Sequence, residues 1–162
     1  MINHHTTNKN RAPRISQDTT NKDSYNKINT ERGDTLIYAM GGLGEVGKNM
    51  YCFEHENEIL IIDSGVRFPE DDLLGVDYVI PDYNYLVKNN RKRKILIITH
   101  GHEDHIGGIP FLLKSVDIEA IYAPAFAVAL INKKLEERKM LRGVKIVEIN
   151  DRSSVKMQHF TC

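Results

Sequence analysis

The chain has 162 residues, with 22 basic and 22 acidic side chains, so its formal net charge is zero. Hydrophobic residues make up 41% of the sequence, which is enough for one folded domain. This neutral balance excludes a strongly basic nucleic-acid binder of the usual kind, although it does not exclude nucleic-acid binding through a local site.

Residues 1–33 are rich in Asn, Thr, Lys and Asp and contain few large apolar side chains. Such a segment cannot bury enough surface to offset the entropy of ordering. We therefore predict a disordered polar extension over residues 1–33 and one domain over residues 34–162.

Three strands are predicted before the first long loop, over Thr35–Met40, Asn49–Glu54 and Ile59–Asp63. Four glycines lie between the first two strands, in the segment 41–47. A dinucleotide-binding loop is an alternative interpretation of this segment, but no helical pattern follows it. A tight turn near the functional cleft fits better.

The second half of the sequence alternates between strand and helix patterns. Strands first and strand–helix alternation afterwards predict an α/β (α+β) fold, in which a mixed β-sheet carries helices on one face. The predicted elements are a helix over Pro81–Asn89, a strand over Ile95–Thr99, a helix over Ile106–Lys114, a strand over Ala120–Ala123, a helix over Pro124–Arg138, and strands over Val144–Ile149 and Val155–Phe160.

Two charged runs are interpreted as solvated surface. The acidic run Glu70–Asp72 could bind a cation, but an acidic loop in water is the commoner case. The basic run Arg91–Lys94 is predicted to be a solvated turn before a buried strand. Contact with nucleic-acid phosphates is the alternative for the basic run.

The run from His100 to His105 holds three imidazoles and two carboxylates, those of Glu103 and Asp104, directly after an apolar, β-branched stretch. One loop histidine is usually just solvated, but imidazole and carboxylate together suit zinc or a similar ion. In an extended chain His100 and His102 project to the same side and can bind one ion. A turn after His102 can direct Asp104 and His105 to a second ion, while Glu103 lies outside both pairs.

Several motifs together resemble a known family. The loop Thr99–Pro110 has the pattern H-x-H-x-D-H of the metallo-β-lactamase superfamily. The segments Gly41–Met50, Ile61–Gly65 and Phe68–Asp77 resemble, more narrowly, ribonuclease J, a member of the β-CASP group of that superfamily. The resemblance extends from about Asp34 to Cys162.

The resemblance implies the N-terminal half of a metallo-β-lactamase αββα sandwich. It implies that His100 and His102 bind one metal ion and that Asp104 and His105 bind a second. Asp104 and His105 would be the catalytic pair, acting through a metal-activated water. Asp63 and Glu103 would support the loop by hydrogen bonds, with Glu103 orienting a ligand histidine.

The implied function is metal-dependent hydrolysis of single-stranded RNA, by endonuclease and 5′-to-3′ exonuclease action, in RNA processing and decay. The implied cofactors are two divalent ions, Zn²⁺ by preference and Mg²⁺ or Mn²⁺ as alternatives. A homo-oligomer and RNA-decay partners are implied for the family. No residues for RNA binding are assigned.

Family members continue well beyond the matched segment, and they take a third histidine, a bridging aspartate and the β-CASP domain from later segments. We therefore expect a truncated form with weak or no activity alone. The other histidines, His4, His5, His55 and His159, match no family motif. Alternatives are another hydrolase of the same fold (a thioesterase or lactonase) and a non-catalytic fragment or interaction module.

The two cysteines, Cys52 and Cys162, are far apart and form no C-x-x-C motif. The start of the chain lacks the apolar core of a secretion signal, and the longest apolar run is too short to span a bilayer. These features predict a cytoplasmic protein without a membrane partner, and a buried Cys52.

Overall fold

The computed structural model describes residues 33–69, 75–141 and 143–162. The predicted extension lies outside the described residues except for Gly33, as does the acidic run Glu70–Asp72. Six strands form one mixed sheet in chain order: β1 (Thr35–Gly41), β2 (Met50–His55), β3 (Glu58–Ile62), β4 (Arg93–Ile97), β5 (Ala120–Pro124) and β6 (Ile146–Ile149). None of the described helices is long and apolar enough to cross a membrane.

The first three strands are antiparallel and the last four are parallel, with β3 shared between the two groups. A two-residue turn at Glu56 and Asn57 joins β2 to β3, which is possible only between antiparallel neighbours. Each parallel pair instead needs a long connection, and the helices lie in these connections: α1 (Asn84–Lys88), α2 (Glu103–Ile106), α3 (Ile109–Leu112) and α4 (Ala125–Glu137).

The main core lies between the helices and one face of the sheet. Alternate strand residues point to this face, so Ile61 and Leu96 are fully buried side by side. The helices add apolar side chains to the same cluster, including Leu86, Ile109 and Ile131. The predicted α/β fold with helices on one face is confirmed. Cys52 is fully buried in this cluster, as the sequence predicted.

The second face of the sheet is covered unevenly. One cross-strand row on this face runs through Ile37, Phe53, Leu60, Ile95 and Ala120. Its β1 end is open, with Ile37 70% exposed, whereas the last three residues are buried. The burial of this row therefore increases from the β1 edge toward the parallel strands.

The segment Val155–Cys162 is a tight hairpin-like turn, not the predicted strand over Val155–Phe160. Val155 and Cys162 exchange both backbone hydrogen bonds, and the Met157 amide donates to the Phe160 carbonyl. The segment therefore pairs with itself and not with the sheet. We call residues 155–162 the C-terminal turn.

The predicted helix over Ile106–Lys114 is also wrong in its bounds. The structure has α2 starting at Glu103, a turn at Gly107 and Gly108, and then α3 from Ile109. The helix predicted from Pro81 begins only at Asn84, where the Asp82 carboxylate accepts the Asn84 amide at 3.0 Å.

The basic run Arg91–Lys94 is not the predicted solvated turn. Lys94 is 1% exposed, and its Nζ donates to the carbonyls of Asn89 and Lys92 at 2.7 and 2.8 Å. Burial lowers the pKa of this ammonium. Lys92 pairs with Glu54, and Arg93 pairs with two glutamates. Three of the four cations thus have partners in the described structure, and only Lys94 among them is buried.

Glu58 holds the C-terminal turn against the sheet. Its carboxylate is buried and accepts the amides of Gln158 and His159 at 3.0 and 2.9 Å, together with Arg93 at 3.0 Å. Burial alone would raise the pKa of this carboxyl, but the amides and Arg93 outweigh burial and lower it. A carboxyl with a lowered pKa stabilises the fold at neutral pH, and this contribution disappears as the pH falls through the folded-state pKa.

We therefore predict that Glu58→Gln lowers the free energy of unfolding at pH 7 by about 2 kcal/mol, because charged hydrogen bonds are lost. The difference between variant and parent should shrink as the pH falls below the ordinary range for a glutamate. Urea unfolding followed between pH 3 and pH 7 measures it. The exposed Glu137→Gln is the matched control, and an equal loss at all pH values would contradict the assignment.

Candidate metal centre

The two segments that build the site leave neighbouring parallel strands at the same edge of the sheet. Asp63 follows β3, and the run Thr99–His105 follows β4. The carboxyl ends of parallel strands point the same way, and ligand sites of open α/β sheets lie there. The fold therefore brings these two segments together.

Asp63 is the centre of a hydrogen-bond network under the histidine loop. Its Oδ1 accepts the Thr99 amide at 2.8 Å, and its Oδ2 accepts the Thr99 hydroxyl at 2.8 Å. His105 Nδ1 lies 2.7 Å from the same Oδ2. Asp63 has a left-handed backbone with φ of +62°, which side chains rarely adopt. These hydrogen bonds to the side chain hold Asp63 in this unusual backbone conformation.

His105 and Asp104 converge on one point. A carboxylate only accepts hydrogen bonds, so the contact with Asp63 places the His105 ring proton on Nδ1 and leaves the lone pair on Nε2. This Nε2 lies 3.3 Å from Asp104 Oδ2. Asn49 Nδ2 contacts both atoms, at 3.1 Å from Asp104 Oδ2 and 3.3 Å from His105 Nε2.

His100 and His102 lie beside this pair. His102 has an extended backbone, with φ of −76° and ψ of 151°, and its ring centroid is 4.5 Å from that of His100. The His100 ring is 4.0 Å from the His105 ring. We call His100, His102, Asp104 and His105 the loop donors, in the sense of groups that can bind a metal ion. They lie next to one another in pairs and form one cluster.

This cluster fits divalent metal ions by the chemistry of its donors. Three imidazoles and one carboxylate are donors that zinc and similar ions prefer. The Asp104 side chain is 38% exposed and the His105 side chain 19% exposed, so an ion can reach them. A ligand histidine whose other nitrogen donates to a carboxylate is the usual arrangement at metal sites.

The side chain of Glu103 contacts helix α4. Its two carboxylate oxygens accept hydrogen bonds from Lys134 Nζ of α4, at 2.7 and 3.0 Å. These two hydrogen bonds make Glu103 a link between the histidine loop and α4.

Main-chain contacts hold the loop against the β3 end without room for adjustment. The amides of Ser64 and Val66 donate to the carbonyls of His105 and Glu103 at 2.8 and 3.1 Å. Gly65 lies between them, and a Cβ at this position would meet the Asp104 carbonyl oxygen at 1.6 Å. A glycine is required at residue 65 because the two backbones are in direct contact.

The glycine-rich segment forms a second wall beside the loop. Glu45 accepts the Gly42 amide at 3.3 Å and pairs with Lys48 and Arg67 at 3.1 and 3.5 Å. The hydrogen bond from Lys48 lowers the pKa of the Glu45 carboxyl. The segment is a bent loop between β1 and β2, longer than the predicted tight turn, and it brings Asn49 to the cluster.

Sequence reasoning missed three side chains of this network: Asn49, Thr99 and Lys134. Asn49 and Thr99 stand inside the motifs that carry the resemblance, so their positions were a signal. Lys134 lies in the last turn of α4, 31 residues from Glu103, and no sequence pattern distinguishes it from other surface lysines.

The family of the chain follows from comparison with known proteins. A model of the metallo-β-lactamase superfamily matches residues 43–159, which include all four loop donors and Asp63. The chain therefore belongs to the metallo-β-lactamase superfamily. Membership implies the use of divalent metal ions.

Within this superfamily the chain is similar to ribonuclease J. It is 52% identical over 134 residues to ribonuclease J 1 of Streptococcus pyogenes serotype M3, covering 83% of this chain and 24% of that protein. It is 55% identical over 126 residues to ribonuclease J of Mycoplasma genitalium, covering 78% and 22%. The resemblance in the motifs is thus confirmed, and the chain spans less than a quarter of these relatives.

Two solved structures share the fold at low sequence identity. A protein of unknown function from Enterococcus faecalis V583 aligns with a TM-score of 0.58 at 13% identity, over 78% of this chain and 36% of that one. A diphosphatase from the PhnP family aligns with a TM-score of 0.51 at 12% identity, over 76% and 54%.

We predict that Gly65→Ala displaces the histidine loop and lowers the free energy of unfolding by more than about 3 kcal/mol, as severe overpacking does. The control is Gly143→Ala, where φ is +98° but nothing lies within 4 Å of the added Cβ. The control should lose only about 1 kcal/mol from backbone strain. Thermal unfolding of both variants measures the difference, and equal losses would contradict the proposed clash.

Proposed function

We propose that this chain is the part of a ribonuclease J-type, metal-dependent ribonuclease that supplies two donors to each of two metal ions. The main support is that His105 contacts both Asp104 and Asp63. In addition, more than half of the aligned residues are identical to those of ribonuclease J proteins. The substrate proposed from these relatives is single-stranded RNA, cut by endonuclease and 5′-to-3′ exonuclease action.

In this proposal His100 and His102 hold one ion, and Asp104 and His105 hold the other. When bound, the two ions supply Lewis-acid activation of water and of the phosphodiester. Zn²⁺ is the proposed ion from the donor set, and Mg²⁺ or Mn²⁺ are the alternatives that a titration distinguishes.

The remaining residues of the site position these donors. Asp63 keeps the proton on His105 Nδ1, so that Nε2 stays free for binding. Asn49 donates to Asp104 Oδ2 and limits the rotation of that carboxylate. Glu103, held by Lys134, fixes the start of α2, and so we propose that it positions Asp104 and His105 through the backbone.

We also propose a reducing, cytoplasmic location, since both cysteines are free, Cys52 buried and Cys162 exposed. Homo-oligomers and RNA-decay partners belong to the proposal through the ribonuclease J relatives. The described surface assigns no RNA-binding residue.

A chimeric enzyme tests the proposed activity. The segment of Mycoplasma genitalium ribonuclease J that matches this chain is replaced by the corresponding residues of this chain. We expect chelator-sensitive cleavage of a labelled single-stranded RNA oligonucleotide. Asp104→Asn in the chimera should lower kcat/KM at least about a thousandfold, because a metal ion supplies several kcal/mol to the transition state.

Asp117→Asn, on an exposed carboxylate away from the site, is the matched control and should keep full activity. A folded chimera that cleaves RNA equally well with Asp104→Asn would refute the assignment. Turnover of a thioester or a lactone in preference to RNA would favour the other hydrolases of this fold. Folded chimeras inactive on all three substrates would favour a non-catalytic role.

A separate prediction concerns metal affinity of the 162-residue chain itself. Asp63→Asn removes the carboxylate that orients His105, so Zn²⁺ binding to the loop should weaken about 10- to 100-fold. Asparagine tolerates a left-handed backbone, so the fold should survive. Isothermal titration measures the affinity, with Asp82→Asn as the control at an exposed helix start. Unchanged affinity would mean that Asp63 serves the fold alone.

A further inference from the structure

A second set of metal-capable side chains lies at the opposite end of the sheet. One donor atom each of His55, Glu56 and His159 lies within 4.8 Å of the other two. In the part of the chain that the structure describes, this is the one set of three donors that meets this criterion. Strand β3 separates it from Asp63 by roughly 16 Å, at about 3.3 Å per residue.

Two separate segments contribute these donors. His55 ends β2, Glu56 lies in the turn to β3, and His159 belongs to the C-terminal turn. The rings of His55 and His159 are 4.7 Å apart, and His159 Nε2 is 3.5 Å from Glu56 Oε2. Contacts with Glu58 bring the C-terminal turn to this position independently of the three donors.

The three side chains are partly ordered but reachable from solvent. Thr35 Oγ1 lies 3.0 Å from His55 Nδ1 and fixes the orientation of that ring. The Glu56 side chain is 38% exposed and the His159 side chain 23% exposed. An ion from solvent can therefore reach the cluster.

We propose that His55, Glu56 and His159 form a second divalent-metal site, of the zinc class, that fastens the C-terminal turn to the β2–β3 turn. Two imidazoles and one carboxylate are a set that zinc uses with a fourth position left to water. Bonds of about 2.0–2.1 Å with tetrahedral angles place donors about 3.3 Å apart. The present spacing reaches this value by small side-chain rotations.

A simple surface ion pair explains the cluster less well. An exposed ion pair of this type contributes little to stability and needs one histidine, not two. Two protonated imidazoles at this distance would repel, whereas neutral imidazoles offer the lone pairs that a metal ion binds. Glu56 has a left-handed backbone with φ of +46°, as the first residue of a two-residue turn between antiparallel strands commonly does.

Paramagnetic NMR tests the site directly. Ni²⁺ added to the ¹⁵N-labelled chain should broaden amides around residues 55–56 and 159, as a set distinct from amides around residues 100–105. We call the amides around residues 55–56 and 159 the distal set. Glu56→Asn should weaken Ni²⁺ binding there at least about tenfold. The fold should be kept, because asparagine accepts a left-handed turn better than glutamate. The double variant His100→Ala, His102→Ala should leave the distal set intact.

His159→Ala should also remove the distal broadening, and Gln158→Ala, beside it, should not. Should His159→Ala disturb the C-terminal turn, the Glu56→Asn result decides. Distal amides that stay sharp at Ni²⁺ concentrations well above millimolar would overturn the proposal. Broadening around residues 55–56 that persists in both Glu56→Asn and His159→Ala would also overturn it, since one imidazole would then bind alone.

Hydrogen exchange tests the fastening role. The amides of Gln158 and His159 exchange when the C-terminal turn leaves Glu58. With Zn²⁺ at ten times its dissociation constant, their exchange should slow about tenfold, since only the closed form binds. Glu56→Asn should abolish this slowing. Unchanged exchange in the parent chain despite bound Zn²⁺ would refute the fastening role.

Discussion

The buried carboxylate of Asp63 is the constraint on which the rest of this site depends. It accepts hydrogen bonds from the Thr99 amide, the Thr99 hydroxyl and the Nδ1–H group of His105. An ionised carboxylate buried without such partners would be costly, so the histidine loop and Asp63 stabilise each other. Loss of the hydrogen bonds between the two segments would therefore change the direction in which the metal-binding side chains point.

The arrangement follows from the parallel pairing of β3 and β4. Parallel pairing places Asp63 and Thr99 at one edge, and Ser64, Gly65 and Val66 continue beside the loop by backbone contacts. The same strand has a similar role at its other end, where Glu58 accepts hydrogen bonds from the C-terminal turn. Strand β3 thus carries an acidic anchor at each end, and each anchor orders a segment distant in sequence.

Sequence patterns placed the six strands of the sheet to within two residues at each end, because strand alternation and apolar runs are local properties, but they also predicted a strand over Val155–Phe160 that does not join the sheet. The break between α2 and α3 was not predictable in this way. Gly107 and Gly108 follow α2, and a Cβ at Gly108 would meet the Ser64 and Gly65 carbonyl oxygens at 2.8 Å. This break reflects a tertiary contact, whereas helical periodicity continues through it. The expectation of a solvated turn at Arg91–Lys94 failed for a similar reason, because Lys92 pairs with Glu54 of β2 and Arg93 pairs with Glu58 of β3, both distant in sequence.

The four loop donors could be recognised in the sequence because they lie within six consecutive residues. The residues that orient them are far away in the sequence. Asn49 reaches Asp104 across 55 residues, Asp63 reaches His105 across 42, and Lys134 reaches Glu103 across 31. A single sequence records no distance between such residues, so only the glycine-rich and aspartate motifs hinted at two of them. Donor identity is therefore a local property of this chain, while donor orientation is a property of the whole sheet edge. Any fragment or variant that keeps the loop but alters the sheet edge retains the donors and loses their alignment.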